Sequence, residues 1–307
     1  MKATVQTLTA PAAIRKSAAA EKSLAAALSD LFKMRLTFLV LLTTLVGFYI
    51  GSRGPMAYGL MIHTILGTTL VAAGAAALNQ LLECEHDAKM RRTQSRPLPS
   101  GRLTPETVLI IGASCSSAGL IYLALAVNLL TALLGAITLA SYLFVYTPLK
   151  RVTTLNTAVG AIPGALPPLM GWTAARGEIS GEGWSLFAIL FFWQLPHFLA
   201  IAWMYREEYA KAGFVMLPGF DPTGERTGRQ ALSHTLGLLP VSLCPFLFQL
   251  VGPFYLFGAL ALGAVFIGCA FEFARHRTVR RARIVFYASI LYLPLLLILM
   301  VLDKTKL

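Results

Sequence analysis

Charge is what this chain has least of. Of its 307 residues only 13% are Asp, Glu, Lys or Arg, while 56% are hydrophobic. Soluble domains carry about 25% charged and about 45–50% apolar residues. A soluble protein of this length would have nowhere to bury so much apolar surface, so the shortage excludes a soluble domain and points to an integral membrane protein. Cysteine is scarce as well. Cys84, Cys115, Cys244 and Cys269 are scattered with no Cys-x-x-Cys pair, which argues against a zinc ribbon and a disulfide framework. Acidic residues number 14 against 26 basic, a net charge of +12. The basic residues fall in short loops between apolar runs, so the surplus is the positive-inside bias of a membrane protein and not a nucleic-acid footprint. No cleavable signal is evident either. Residues 1–29 are Ala/Ser-rich without a long apolar core and read as a flexible cytoplasmic tail ahead of one membrane domain, 30–307.

What is abundant is apolar length. A transmembrane helix needs about 20 mostly apolar residues. Nine such spans can be read, centred near Leu42, Ala72, Ala118, Ile137, Gly164, Leu190, Pro240, Leu262 and Leu295. Asn128 alone divides the third from the fourth, and Gly252-Pro253 divides the seventh from the eighth. With the N-terminus inside, 22 Lys and Arg lie on the cytoplasmic side and 4 on the other. That asymmetry predicts the N-terminus in and the C-terminus out.

Even-numbered spans then end at the cytoplasmic rim. The second ends in NQLLECEHDAKMRRTQSRPLPSGR (79–102), the fourth in YTPLKR (146–151) and the sixth in YREEYAKAG (205–213). The second and sixth spans are four apart, which suggests two four-helix halves, each with an acidic motif on its second helix. Asn79, Glu83 and Asp87 recur every four residues, drifting only about 40° per step at 3.6 residues per turn. All three can line one face. Oxygen donors in such a row suit Mg²⁺, which keeps waters and is completed by substrate phosphates. Glu207 and Glu208 are candidates for the facing carboxylates, and the neighbouring Arg91, Arg92, Arg96 and Arg102 suit phosphate. Together they describe a diphosphate site; the alternative is ordinary rim charge reaching for water. Pro163, Pro167 and Pro168 fall inside the fifth span, either as a packing kink or as a pocket wall.

These strings resemble the intramembrane UbiA-type prenyltransferase superfamily. Its second-helix motif, Asn-x-x-x-Asp-x-x-x-Asp, is matched at Asn79 and Asp87 and departs at Glu83. Its second acidic motif, an Asp-rich pair, is absent in that form, and Glu208 takes its place. MRRTQSRPLPSGR (90–102), YTPLKRVTTLNTAVGAIPGALPPLMGW (146–172) and the stretch from FFWQLPHFLAIAW to EEYAKAGFVMLP (191–218) resemble the haem-modifying branch. The resemblance covers nearly everything after Asp30. It implies an all-α integral membrane protein with nine transmembrane helices around a central cavity, built as two pseudo-repeated four-helix halves plus a ninth helix. It also implies a Mg²⁺-dependent prenyltransferase of the cell inner membrane. Farnesyl diphosphate and protoheme IX would give haem O and diphosphate for haem–copper terminal oxidases, with haem A synthase as a candidate partner. The residue roles it implies are Asn79, Glu83, Asp87 and Lys150 in catalysis, and Arg92, Arg96, Tyr146, Lys150 and Arg206 on the diphosphate. Glu83, Asp87 and Glu208 would hold Mg²⁺, and His197 the haem.

Two rivals share these features. A prenyltransferase with another aromatic acceptor, such as 4-hydroxybenzoate, needs the same acidic motifs. A secondary transporter also shows broken spans and repeats, but its site lies near the bilayer midplane, whereas these acids sit at the rim. A haem-binding electron carrier lacks an evident His pair.

Overall fold

The structure, a computed structural model, describes residues 24–305. Of the tail expected over 1–29, residues 1–23 lie outside the described residues. Residues 24–29 open helix α1 (Leu24–Leu31), whose Ala27 and Leu31 are buried. Among the described residues every regular element is helical, apart from a lone bridge between Val251 and Lys304. The helices that follow are α2 (Met34–Gly51), α3 (Tyr58–Asp87), α4 (Pro105–Ala126), α5 (Leu129–Leu149), α6 (Asn156–Arg176) and α7 (Gly181–Met204). After them come the short α8 (Arg206–Lys211), then α9 (Glu225–Leu247), α10 (Pro253–His276) and α11 (Val279–Leu302).

Seven helices (α2, α3, α4, α5, α7, α10 and α11) are long and apolar enough to cross a bilayer. Helices α6 and α9, of 21 and 23 residues, have the length but carry internal prolines and more polar side chains. They pack among the others and complete the set of long helices that the sequence reads as spans. The boundaries follow local chemistry. Asn128 caps α5, its Oδ1 accepting from the Thr131 N–H at 2.8 Å while its Nδ2 donates to the Thr173 carbonyl at 2.9 Å. Pro253 stands in the first turn of α10, where its missing N–H leaves no bond unmade.

Lipid gives helices no hydrophobic reason to associate, so close approach depends on small side chains. Helices α3 and α4 meet in this way. A Cβ on Gly74 would strike Ser116 and the Gly112 carbonyl, and one on Gly119 would lie 2.8 Å from Val71. Two apolar cores result, one among α2, α6, α7, α9, α10 and α11, the other among α3 to α6. A cavity lies where α2, α3, α5, α6 and α7 meet.

Two irregularities shape that cavity. Helix α3 has 30 residues, about 45 Å at 1.5 Å per residue, against a hydrocarbon layer of about 30 Å. Its last turns therefore stay helical at and beyond the rim, carrying Asn79, Glu83 and Asp87. In α5, Ser141–Tyr146 form a π-helical turn, a distortion frequent at functional sites. Tyr142 and Tyr146 both line the cavity, their rings 5.8 Å apart.

Hydrogen bonds show which ends share a face. At one rim Arg151 donates to the Leu82 carbonyl, the Val215 N–H to the Lys150 carbonyl, and Arg102 to Asp30. At the other, Lys304 Nζ donates to the Tyr49 and Ser52 carbonyls at 2.6 and 2.7 Å.

Candidate active site

Asn79, Glu83 and Asp87 are 1%, 4% and 2% exposed, and all three line the cavity, whose volume is about 310 Å³. Buried carboxylates persist only when paired. Glu83 accepts from Lys150 Nζ at 2.7 Å, and Asp87 accepts from Arg96 at 2.5 Å. Lys150 also stands 4.4 Å from the centre of the Tyr146 ring. Burial works against its charge, but Tyr146 and Glu83 outweigh burial and hold its pKa above the ordinary lysine value.

A further cation faces them from α2. Lys33, at the break before that helix, adopts the left-handed conformation with φ 47° and ψ 53°. For a residue with a Cβ this costs on the order of 1 kcal/mol. The turn sends its Nζ to Asn79 Oδ1 at 2.7 Å and to within 3.5 Å of the Tyr142 hydroxyl. Asn79 in turn donates through Nδ2 to Thr147 Oγ1 at 3.1 Å. One carboxamide thus ties α3 to α5 and aims Lys33 into the cavity. Burial, and then the nearby charge of Arg96, pull the Lys33 ammonium down to about 7.

The remaining predicted residues divide. Arg92 lines the cavity and donates to the Tyr209 hydroxyl at 3.3 Å. Arg206 does not line it. Its guanidinium lies 4.7 Å from the Trp203 ring centre and donates to the Trp203 carbonyl at 3.2 Å. Glu208 encloses an Oε2 without a protein partner while Glu207 is exposed, and neither lines the cavity. Among the described residues no three His, Cys, Asp or Glu side chains converge as a metal cluster, so Glu83, Asp87 and Glu208 are not gathered as a triad. His197 faces α11, with Nδ1 2.7 Å from Ser289 Oγ and its ring stacked on Trp193 and Phe286 at 5.2 and 5.0 Å. Gln194 and Phe198, on the same helix, face the cavity instead.

Pro163 and Pro167 are cavity wall within an unbroken α6. Above the carboxylates, Met90 from the segment after α3 packs with Tyr209, Phe214 and Met216 from the segment after α7. The two segments thereby meet over the cavity mouth. The sequence reading missed Lys33, Tyr142, Gln194, Tyr209, Phe214 and Met216. Lys33 read as one more inside charge, and Tyr142 sat four residues before a residue already singled out. Gln194, Tyr209, Phe214 and Met216 lie within strings quoted above, but which way their side chains face is set by the fold.

A profile of the UbiA prenyltransferase family matches residues 40–296. The chain is 50% identical over 286 residues to the protoheme IX farnesyltransferase of Solibacter usitatus, covering 90% of this chain and 97% of that one. A solved structure concerning digeranylgeranylglyceryl phosphate synthase superposes with a TM-score of 0.78 at 17% identity, covering 92% of this chain and 98% of that one. A UbiA homologue from Archaeoglobus fulgidus bound to GPP and Mg²⁺ superposes with a TM-score of 0.64 at 15% identity, covering 89% and 99%. The fold is shared over about nine tenths of the chain, and the family profile runs from the first long helix into the last; the chain belongs to the UbiA prenyltransferase family.

Proposed function

We propose that the protein transfers the farnesyl group of farnesyl diphosphate to a vinyl group of protoheme IX, giving haem O and diphosphate. The observation that carries this is the division of the cavity. Glu83, Asp87, Lys150, Arg92, Arg96 and Lys33 gather at its mouth, while Val40, Pro163, Pro167 and Phe198 wall its depth. An isoprenoid diphosphate has the same division, a charged head on an apolar tail. The half-identical relative named for protoheme IX farnesylation supports the choice of acceptor. The 22-to-4 basic asymmetry supports a mouth opening to the cytoplasm in the inner membrane.

The residues fit Mg²⁺. Two carboxylates and an amide on one helix face are hard oxygen donors, and substrate phosphate and water complete such a set. Glu83 and Asp87 would hold the ion, with Asn79 beside them. Bound there, Mg²⁺ supplies positive charge to the leaving diphosphate. Lys150 and Arg96, now paired with the carboxylates, would be the nearest cations for the phosphate oxygens, with Arg92, Lys33 and the Tyr146 hydroxyl beside them on the cavity lining. Charge placed in advance where a leaving group departs is electrostatic catalysis. The Tyr142 and Tyr146 rings line the space beneath Lys150, where the allylic cation forms. The vinyl group attacks that cation, and water captures the new cation on the porphyrin side. On the acceptor side we assign His197 from the resemblance, although it lies beside and not on the cavity lining, held by Ser289, Trp193 and Phe286.

The test is incubation of purified protein with haem, farnesyl diphosphate and Mg²⁺, with and without EDTA, and mass spectrometry of the porphyrin. Farnesylated, hydrated haem formed only with the metal supports the reading. Unchanged haem alongside prenylated 4-hydroxybenzoate moves the protein to another acceptor class.

A further inference from the structure

Gln194 sits in the middle of α7 and is 5% exposed. Its Nε2 donates to the Leu190 carbonyl at 3.0 Å and to the Ala161 carbonyl of α6 at 3.3 Å. These bonds fix the carboxamide and turn Oε1 onto Gly164, a glycine that also lines the cavity. A Cβ on Gly164 would occupy the place of that oxygen. One turn nearer the mouth, Gly160 makes the same room for the Tyr146 ring, over which Lys150 stands. Gln194 is therefore about one turn deeper than the tyrosine layer beneath the diphosphate site.

Its Oε1 accepts no hydrogen bond among the described residues. The neighbouring polar groups are already engaged: Thr138 Oγ1 donates to the Leu134 carbonyl at 2.7 Å, and Asn79 Oδ1 holds Lys33. Gln194 lines the cavity, so this acceptor is open to a donor that enters there. Neither an isoprenoid chain nor a vinyl group has an O–H or N–H to offer. The same wall holds one more acceptor, the Pro163 carbonyl, because Pro167 has no N–H to give it four residues on. A buried water needs two to four polar partners. Donating both hydrogens to such acceptors, it turns a lone pair toward the cavity.

We infer that Gln194 holds the water that adds to the porphyrin in the reaction proposed above, a reading on which this inference rests. The C1–O bond of farnesyl diphosphate breaks and its electron pair leaves with diphosphate. The π pair of the vinyl group forms the bond from its terminal carbon to C1, which leaves a cation on the vinyl carbon next to the ring. The held water gives its lone pair to that carbon, and its surplus proton passes to the released diphosphate. Without a held water the same cation sheds a proton from the adjacent carbon and closes to an alkene. That product is lighter than haem O by the mass of one water.

The test compares the ratio of alkene to haem O, by mass spectrometry, in wild type, Gln194→Met and Gly164→Ala. The first removes the acceptor at similar volume, and the second keeps it but displaces it. Both should still form the carbon–carbon bond and should raise the ratio by roughly tenfold, about the worth of one hydrogen bond. An unchanged ratio in both variants overturns the inference. So does a Gln194→Met protein that binds farnesyl diphosphate normally yet farnesylates nothing, because Gln194 then acts before the water step. If Gln194→Met fails to bind farnesyl diphosphate, the ratio in Gly164→Ala decides alone. A wild type that makes no farnesylated haem refutes the proposed function instead, a separable result.

Discussion

Replacing Lys150 by Met removes one half of an ion pair that is largely sealed from water, the two side chains being 12% and 5% exposed. Glu83 would then be a buried carboxylate without its cation. Breaking such a pair from one side typically costs about 3–5 kcal/mol, whereas replacing both partners by neutral groups of similar volume is often close to neutral. Lys150→Met and Glu83→Gln should each lower the thermal inactivation midpoint clearly, and the double variant should recover most of that loss. Activity should behave otherwise. Losing one preorganised group at a developing charge costs about 10²–10³ in rate, and the double variant lacks two such groups. The expected result is a protein of near-normal stability and negligible turnover. The assays are inactivation midpoints in detergent beside initial rates of haem farnesylation. A double variant no more stable than the worse single would refute the pairing argument, and wild-type turnover in Lys150→Met would refute the catalytic one.

Four further outcomes are expected. Lys33→Met should weaken farnesyl diphosphate binding about tenfold, the order of a charge-assisted hydrogen bond, while leaving haem affinity unchanged in a titration. His197→Ala should weaken haem binding far more than farnesyl diphosphate binding; equal losses would make it a structural tie between α7 and α11. Asp221 Oδ2 accepts from the Thr227 N–H and hydroxyl, both at 2.8 Å, at the start of α9. Burial raises that carboxyl, but the bonds from Thr227 prevail and hold it below its usual value. Its stabilisation is therefore complete above about pH 4 and fades as the pH falls through the depressed value. Asp221→Ala should accordingly lose about 1 kcal/mol at neutral pH and converge with wild type in acid. Single cysteines at Ser100 and Thr223, both exposed at the same rim, should label from the cytoplasm only, and labelling from outside would invert the topology.

Much of this was legible in the sequence, for identifiable reasons. Spans announce themselves because lipid tolerates few charges, and Asn128 and Pro253 mark boundaries by local chemistry alone. The row Asn79, Glu83, Asp87 follows from helical spacing, which α3 keeps to its last turn. The partners of that row were less legible. From the sequence Lys150 and Arg96 are phosphate ligands, yet in the folded chain each neutralises a carboxylate, a pairing set by how α3 meets the segments after it. Lys33 reaches Asn79 only through a left-handed turn, and Tyr142 joins Tyr146 on the cavity wall within a π-helical turn that no spacing rule for an α-helix anticipates. The direction of His197 and of Gln194 depends on which neighbour each face of α7 meets, and that is a tertiary fact.

The self-pairing of the carboxylates has a consequence for the order of assembly. A dication entering alone would satisfy Glu83 and Asp87 but strand Lys150 and Arg96 as buried cations. A diphosphate entering alone would satisfy those cations and strand the carboxylates. Either ligand by itself therefore meets a penalty that the other removes, so each should raise the affinity of its partner, and by the same factor. On the proposed function, the resting cavity, with its charges mutually cancelled, would resist half-loading with metal or with diphosphate and accept the pair.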